Sequence, residues 1–481
     1  MTSNPHFVDT IVIGSGASGL SLTNLLNRSG RDVLCLEAHR TPGGSAGYFS
    51  RGKFCFDAGA TTLSGMKFEG PLKQFASQCQ LDFQLQRIDP GLQIAMGDKK
   101  LKRWGNINDW IIEQQSVFAS EMIPQLWHEI EKYNELCWGL VSDSANFPPY
   151  NFHSLKELLA HRTGSKIQML PLILQTFEKK FLRGKFLPAG YLRMLDEMML
   201  ISSQNTSDKT PAMIAVMGLS YPQDTWYASG GMRGFFDHLM APVKERVLFQ
   251  KKIESIQQEK DLFEVKTSTE SFHCRNLVST LPYWNTQKLL GKLDRASMDQ
   301  WSSEAWSALS GYYKIKLKTQ PASLYHQVHT QNVSHSGAGS VFLSLCPLTD
   351  ISRCDGIYQT LTLSTHIRFS EYQRAIMIDR KTMRARWNQE FEQVIKDYFG
   401  DDLLDLISVG IGDPSTFEKY TGRERGLVGG LPHSMRRNIL TYPRSGTGMK
   451  NFHQLGDTTF PGQGIVGVIQ GAINLHQRMM L

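Results

Sequence analysis

The sequence predicts an α/β fold in two parts. One domain, built on a parallel sheet, is assembled from discontinuous stretches of chain. The other, part mixed sheet and part helix, is built from the insertions between them. Three observations predict this. A strand–glycine–helix–strand–acid unit fills residues 8–37, glycine-rich turns recur near residues 43–59 and 456–464, and the stretches between carry mixed strand-like and helix-like patterns.

The first unit is the most specific. Val8–Ile13 reads VDTIVI, a short β-branched strand, and Gly14-Ser15-Gly16-Ala17-Ser18-Gly19 follows at once. Leu22, Leu25 and Leu26 then recur at helical spacing, and Arg31–Leu36 forms a second strand ending on Glu37. A lone G-x-G-x-x-G is weak evidence, but strand, triplet, helix, strand and acid within about thirty residues form a dinucleotide-binding signature. Gly14 permits the tight turn, Gly16 admits a pyrophosphate, and Gly19 lets the helix pack closely on the sheet. The helix start aims free N–H groups at the phosphates. Glu37 suits a ribose diol and disfavours a 2′-phosphate, which points to NAD or FAD rather than NADP. The competing reading is an ordinary glycine-rich turn in a parallel sheet.

A second glycine pair follows six residues after the acid: Gly43-Gly44-Ser45, then Ala46-Gly47-Tyr48 and Phe56-Asp57-Ala58-Gly59-Ala60-Thr61. At the far end, Gly456-Asp457 precedes Phe460-Pro461-Gly462-Gln463-Gly464-Ile465-Val466 and a helix-like run to Met479. These blocks resemble the FAD-dependent phytoene desaturase and carotenoid isomerase family of the amine oxidase-like flavoproteins. Ser45 stands where many desaturases carry a basic residue, and the segment Gly43–Tyr48 looks closest to carotenoid isomerases and some desaturases. The resemblance implies FAD as cofactor. It also implies a binding set of Gly14, Ser15, Gly16, Ala17, Ser18, Gly19, Glu37, Ala38, Gly43, Gly44, Ser45, Gly59, Ala60, Thr61, Ile253, Thr280, Gly456, Asp457, Gly464, Ile465 and Val466. Within it, the double glycine passes the pyrophosphate and ribityl chain, Asp457 contacts the ribityl chain, and Ile253 lies against the adenine. The helix opened by the P-G-Q-G turn faces the flavin, where its N-terminus favours negative charge on the reduced ring.

The middle of the chain is less specific. Tyr227-Ala228-Ser229-Gly230-Gly231-Met232 precedes a helix-like stretch with Phe235, Leu239 and Met240. Short strand-like runs follow at Val247–Phe249, Ile253–Ile256, Leu262–Val265 and Leu277–Thr280. A plain β-meander without cofactor contact would look the same. The expected division is a Rossmann-like FAD-binding domain from residues 1–84, 222–281 and 428–481, with the substrate domain from 85–221 and 282–427. The first insertion reads as helical and Trp-rich (Trp104, Trp110, Trp127, Trp138). The second holds strand-like runs at Val341–Leu345 and Tyr358–Leu363 and a long helix at Arg380–Phe399.

Length and composition fit a globular protein of two or three domains: 481 residues, 41% hydrophobic and 20% charged. The seven scattered cysteines form no C-x-x-C and no metal-ligand spacing, so a reducing compartment and no metal are expected. The first residues lack a charged region followed by an apolar one, so no signal peptide is expected. No apolar run reaches membrane-spanning length. These points suggest a cytoplasmic protein. The net charge is +7. Much of it lies in residues 161–193, where Arg162, Lys166, Lys179, Lys180, Arg183, Lys185 and Arg193 interleave with bulky apolar residues. That pattern suits a peripheral membrane segment, or a helical hairpin that packs its apolar face inward. No nucleic-acid motif accompanies the charge.

The family resemblance implies a lipophilic polyene substrate: a carotenoid or related isoprenoid. Desaturation would pass a hydride to flavin N5 and a proton to an acceptor, whereas cis/trans isomerisation would use reduced flavin without net oxidation. Two alternatives stay open. One is an enzyme of the same fold acting on an amine, a porphyrinogen or a retinoid. The other is a non-enzymatic isoprenoid-binding relative, against which the intact glycine triplet counts. No motif names a catalytic base, and the electron acceptor is unknown. His433, Arg436, Arg437 and His453 are the polar candidates near the C-terminal block. Arg423-Glu424-Arg425 reads as a solvated turn, and Cys35 as buried packing inside the second strand.

Overall fold

The computed structural model describes residues 6–142, 156, 169–377 and 379–480. Its first sheet begins with β1 (His6–Ile13), followed by α1 (Ala17–Arg28) and β2 (Val33–Leu36). β1 pairs parallel with β2 on one side and with the strand Ser271–Ser279 on the other. Leu262–Thr267 and Ile253–Glu259 extend that flank antiparallel, and Val247–Leu248 closes the other edge beside β2. Phe452–Gln454 pairs parallel with Ser271–Ser279. Three stretches of chain, more than 170 residues apart, thus share one sheet.

Period-two alternation splits β1 between two apolar layers. Val12 packs with Leu22, Leu25 and Leu26 of α1 and with Ile469 and Ile473 of the C-terminal helix Gly464–Met480. Ile11 and Ile13 face the opposite layer with Phe263, Val265 and Leu277. A strand buried on both faces explains the near-continuous apolar run.

The second sheet runs Leu403–Gly412, Trp306–Leu317, Gln359–Arg368, Ser340–Leu345, Tyr325–His329, Leu92–Met96 and Lys99–Arg103. The helix Arg380–Phe399 matches its expected bounds. Asp379 caps it by accepting from the N–H groups of Lys381 and Thr382 at 3.1 and 2.8 Å. Trp387, Phe391, Val394 and Ile395, at helical spacing, pack on Leu309, Tyr313 and Leu363 of the sheet. The helices Ile107–Phe118, Met122–Ser142, Tyr191–Ser203 and Ala212–Ser220 form a layer around Trp110, Trp127, Met194 and Met198.

The first insertion departs from its all-helical expectation. Leu92–Met96 and Lys99–Arg103 form a hairpin turning on Gly97-Asp98, with Gly97 at φ +62°. That two-residue turn flanked by alternating residues was a legible signal. The basic stretch also divides. Residues 161–168 lie outside the described residues. Phe177, Phe181 and Leu182 are buried, and Lys180 turns inward to Glu129 at 2.7 Å. Leu170, Leu174 and Phe186 are exposed, as are Lys179 and Arg183. Among the described residues no helix is long and apolar enough to cross a membrane, and all seven cysteines are free and buried. Cys35 is such a case: burial pushes its thiol pKa far up.

Candidate functional site: a glycine-lined cradle at the start of α1

The turn after β1 is fixed by close backbone contact. Gly14 sits at φ +101°, and a Cβ there would lie 2.6 Å from Thr280 Oγ1. Thr280 donates to the Ile13 carbonyl through its N–H at 3.0 Å and its hydroxyl at 2.7 Å. A Cβ on Gly19 would overlap the Gly14 carbonyl oxygen, so Gly19 is required for the helix to lie this close to the strand. Gly16 differs. Its φ of −68° suits any residue, and a Cβ there would sit 3.9 Å from the Gly43 carbonyl oxygen, an ordinary contact. The protein's own atoms do not demand glycine at 16.

The other glycine segments converge here. Gly43 N–H donates to the Ser15 carbonyl at 3.1 Å, and a Cβ on Gly44 would come within 3.6 Å of Gly16 Cα. Gly43 and Gly44 both have positive φ, at +132° and +56°. Gly456, at φ +112°, places its Cβ position 3.0 Å from the Thr280 carbonyl oxygen and 3.8 Å from Ser18 Oγ. All three segments meet at the N-terminus of α1, which no side chain caps. Ala17 and Ser18 are buried in its first turn. Such a terminus presents N–H groups and partial positive charge.

The remaining expected residues flank this point. Glu37 Oε2 accepts from Ser15 N–H and Ser15 Oγ, both at 2.7 Å, and its Oε1 accepts from His39 N–H at 2.8 Å. The acid at the end of β2 therefore also braces the glycine turn. Ala38 is exposed beside it. Lys251 N–H donates to the Glu37 carbonyl at 2.7 Å, and Ile253, two residues on, packs with Ile13 and Leu36. Ser45 has a buried hydroxyl without a partner. A Cβ on Gly59 would overlap the Ser45 carbonyl oxygen, which sets Gly59, Ala60 and Thr61 beside the double glycine. Thr61 bonds Ser344 Oγ at 2.7 Å and accepts from Tyr325 OH at 2.9 Å. Gly464 opens the C-terminal helix, Ile465 and Val466 are buried in its first turn, and a Cβ on Gly65 would meet Val466 Cγ2 at 3.3 Å.

The solvated-turn expectation for Arg423-Glu424-Arg425 is overturned. Arg423 is buried, pairs with Asp457 at 2.7 Å and donates to the Leu427 carbonyl at 2.6 Å. Arg425 pairs with Asp299 at 2.6 Å. The expected ribityl contact, Asp457, therefore already has a cationic partner. His433 is buried and stacks on Tyr442 with ring centroids 4.5 Å apart. Burial pulls its pKa down to about 4, so it is neutral at pH 7. Arg437 pairs with Glu304 and lies over Trp301. His453 lies in Phe452–Gln454, with its pKa likewise drawn to about 4 by burial. Arg436 offers its carbonyl to Thr441 Oγ1.

Sequence reasoning missed a buried charge network behind the F-D-A-G segment. Arg353 pairs with Asp57 at 2.9 Å, both side chains under 5% exposed. Arg353 also donates to the Cys55 carbonyl at 3.1 Å and reaches Tyr227 OH at 3.3 Å. Asp57 accepts from Met232 N–H at 3.0 Å, and Tyr227 OH donates to Asp350 at 2.6 Å. The carboxylate of Asp57 holds Arg353 firmly protonated against the cost of burial.

A dinucleotide fits these residues. The crossing glycines leave room for a close-lying chain, the uncapped helix suits a pyrophosphate, and the orphaned Ser45 hydroxyl lacks only a polar partner.

Comparisons agree. Residues 12–79 match the NAD(P)-binding Rossmann-like domain. A prolycopene isomerase of Daucus carota is 24% identical over 98% of this chain and 79% of its own. A carotenoid 3,4-desaturase of Haloarcula japonica is 23% identical over 95% of both chains. Along nearly its whole length the chain is similar to these two enzymes. The fold is shared with solved amine oxidases. A cyclohexylamine oxidase from Brevibacterium oxydans superimposes with a TM-score of 0.60 at 14% identity, covering 98% of this chain and 100% of the oxidase.

Proposed function

We propose that the protein is an FAD-dependent oxidoreductase acting on a carotenoid or related isoprenoid polyene, by desaturation or by cis/trans isomerisation with reduced flavin. The observation that carries this reading is the meeting of Gly14–Gly19, Gly43-Gly44 and Gly456 at the uncapped start of α1 in a chain related end to end to polyene enzymes. The N–H groups of Ala17 and Ser18 hold the pyrophosphate, Glu37 holds the adenosine ribose, and Ile253 lies at the adenine. Asp457, braced by Arg423, holds the ribityl hydroxyls. Gly59–Thr61 and Gly464–Val466 border the ring. Flavin supplies hydride transfer when oxidised and electron donation when reduced. The chain contributes orientation and the dipole of the C-terminal helix.

In this reading, residues 1–84, 222–281 and 428–481 form the cofactor domain, and 85–221 and 282–427 the substrate domain. Leu170, Leu174 and Phe186, with Lys179 and Arg183, form the face that collects a lipophilic substrate from a membrane. Co-sedimentation with anionic liposomes checks this face: a Lys179→Glu/Arg183→Glu/Phe186→Ser variant should stay in the supernatant.

The deciding experiment is conversion of a small carotenoid panel by FAD-loaded protein in liposomes. It is run with oxidised flavin and again, without oxygen, with reduced flavin. Longer-wavelength products only with oxidised flavin identify a desaturase. Altered geometry at constant mass only with reduced flavin identifies an isomerase. A bound yellow cofactor without turnover in either state sinks the polyene reading and moves the substrate to amines, porphyrinogens or retinoids.

A further inference from the structure

Several buried polar atoms cluster without partners outside the cradle. Asn134, Ser220 and Gln223 are 1%, 3% and 2% exposed. Asn134 Oδ1, Ser220 Oγ and Gln223 Oε1 are buried with no hydrogen-bond partner. All three residues line one cavity of about 30 Å³, with Gly65, Lys67, Trp138, Tyr221 and Asp224. Buried polar groups are paired as a rule, and three orphans around one cavity call for an occupant with hydrogen-bonding capacity.

The cavity adjoins the proposed flavin site. Tyr221 OH bonds Thr62 Oγ1 at 2.7 Å, one residue after Thr61. Gly65 lies against Val466, in the first turn of the C-terminal helix. Resting on the polyene reading above, we propose that this cavity is a subsite for a hydroxyl group on the end of an elongated apolar substrate.

Chemistry selects the hydroxyl. Asp224 is already saturated: its Oδ2 accepts from Gly65, Met66 and Lys67 N–H at 2.7, 2.8 and 3.1 Å, and its Oδ1 from Trp226 Nε1 at 2.7 Å. No carboxylate is left on the wall for an ammonium, and the Lys67 ammonium would repel one. A carboxylate ligand would face the orphaned oxygens of Asn134 and Gln223. Glu131, one turn before Asn134 on the same helix, is not on the cavity wall, and its charge acts on the Lys67 ammonium. A neutral hydroxyl donates and accepts, so it satisfies these groups whichever way each amide is turned. The cavity admits a group of that size, and a bulky ring stays outside.

The test compares three probes on FAD-loaded protein in detergent: an acyclic C40 polyene, its terminal alcohol, and the methyl ether of that alcohol. Binding is read from quenching of tryptophan fluorescence, since Trp138 lines the cavity. Wild type should bind the alcohol about tenfold more tightly than the ether. Asn134→Leu and Gln223→Leu should each remove most of that preference and leave hydrocarbon binding unchanged. Ser220→Ala, a smaller change, keeps the test alive should either leucine variant not fold, and should cost the alcohol about threefold. Equal binding of alcohol and ether by wild type, or an undiminished preference in folded variants, overturns the subsite. If the hydrocarbon is still bound and converted in that case, the polyene reading stands while the subsite falls. If no probe binds the yellow protein, both fall together.

Discussion

At the start of α1 the chain meets itself backbone to backbone. Behind the strand Phe54–Asp57 it meets itself through charged side chains. In the cradle, Gly19 touches the Gly14 carbonyl, Gly44 lies over Gly16, and Gly456 rests on Thr280. In the network, Arg353 links Asp57, the Cys55 carbonyl and Tyr227, while Asp350 ties Tyr227 to Gly230 N–H at 2.8 Å. The first arrangement leaves N–H groups and space for a ligand. The second fills the space between Asp57 and Arg353 with paired charge. Both join segments hundreds of residues apart, yet they should answer mutation differently. Backbone contact is lost by adding atoms, and a charge network by removing one.

The largest effect is expected in the network. Arg353→Met leaves the Asp57 carboxylate buried and unpaired, and loss of one partner of a buried pair costs about 3–5 kcal/mol. Arg425→Met breaks a pair whose acid, Asp299, is 55% exposed, and should cost at most about 1 kcal/mol. Denaturant unfolding of the two variants measures the contrast. Equal losses would mean that the network carries no special share of the stability.

The next largest separates fold from ligand within the cradle. Gly19→Ala drives a methyl into the Gly14 carbonyl and should destabilise even the flavin-free protein by about 1–3 kcal/mol. Gly16→Ala meets no clash and should cost the flavin-free protein less than about 1 kcal/mol. It should nevertheless weaken FAD binding by at least about tenfold, because its methyl fills the approach of the pyrophosphate. Thermal unfolding with and without FAD, together with flavin titration, reads both quantities. Full flavin retention in Gly16→Ala would displace the proposed cofactor path.

This division also explains what the sequence made legible. Glycine positions in the cradle announce themselves because the demand for a missing Cβ is local, and each demand leaves a glycine at a fixed offset from a strand. The helix Arg380–Phe399 was legible for a similar reason: Asp379 caps it, and Trp387, Phe391, Val394 and Ile395 keep one face. The hairpin at Leu92–Arg103 carried its signal in Gly97-Asp98, though the Trp-rich helices after it dominated the reading. Arg353 had no local signal. It sits in an I-S-R-C-D turn, and its role arises only where it meets Cys55, 298 residues away. Arg423 misled for the same reason, because three charged residues in a row resemble a solvated turn until Asp457 folds onto them.

The smallest expected effect probes the second sheet through pH. His326 is fully buried in the strand Tyr325–His329, with Nδ1 bonded to Tyr398 OH at 2.9 Å and Nε2 unpartnered. Burial first, and then the charge of Lys100, lower its pKa from 6.5 to about 3. Below pH 6.5 the unfolded chain binds a proton at this ring and the folded chain does not, so stability falls as pH falls through that window. One such group contributes a slope of about 1.4 kcal/mol per pH unit. His433, on the cradle side, is drawn to about 4 and should add a similar slope down to that pH. His326→Phe keeps a ring against Tyr398 and Phe399 and removes the titrating nitrogens. Its unfolding free energy should therefore fall less steeply between pH 6.5 and 5 than that of wild type, by about 1 kcal/mol per unit. Denaturant curves at pH 7, 6 and 5 measure this. Parallel slopes would mean that His326 takes up its proton in the folded protein, and that the strand opens to water where the structure packs it closed.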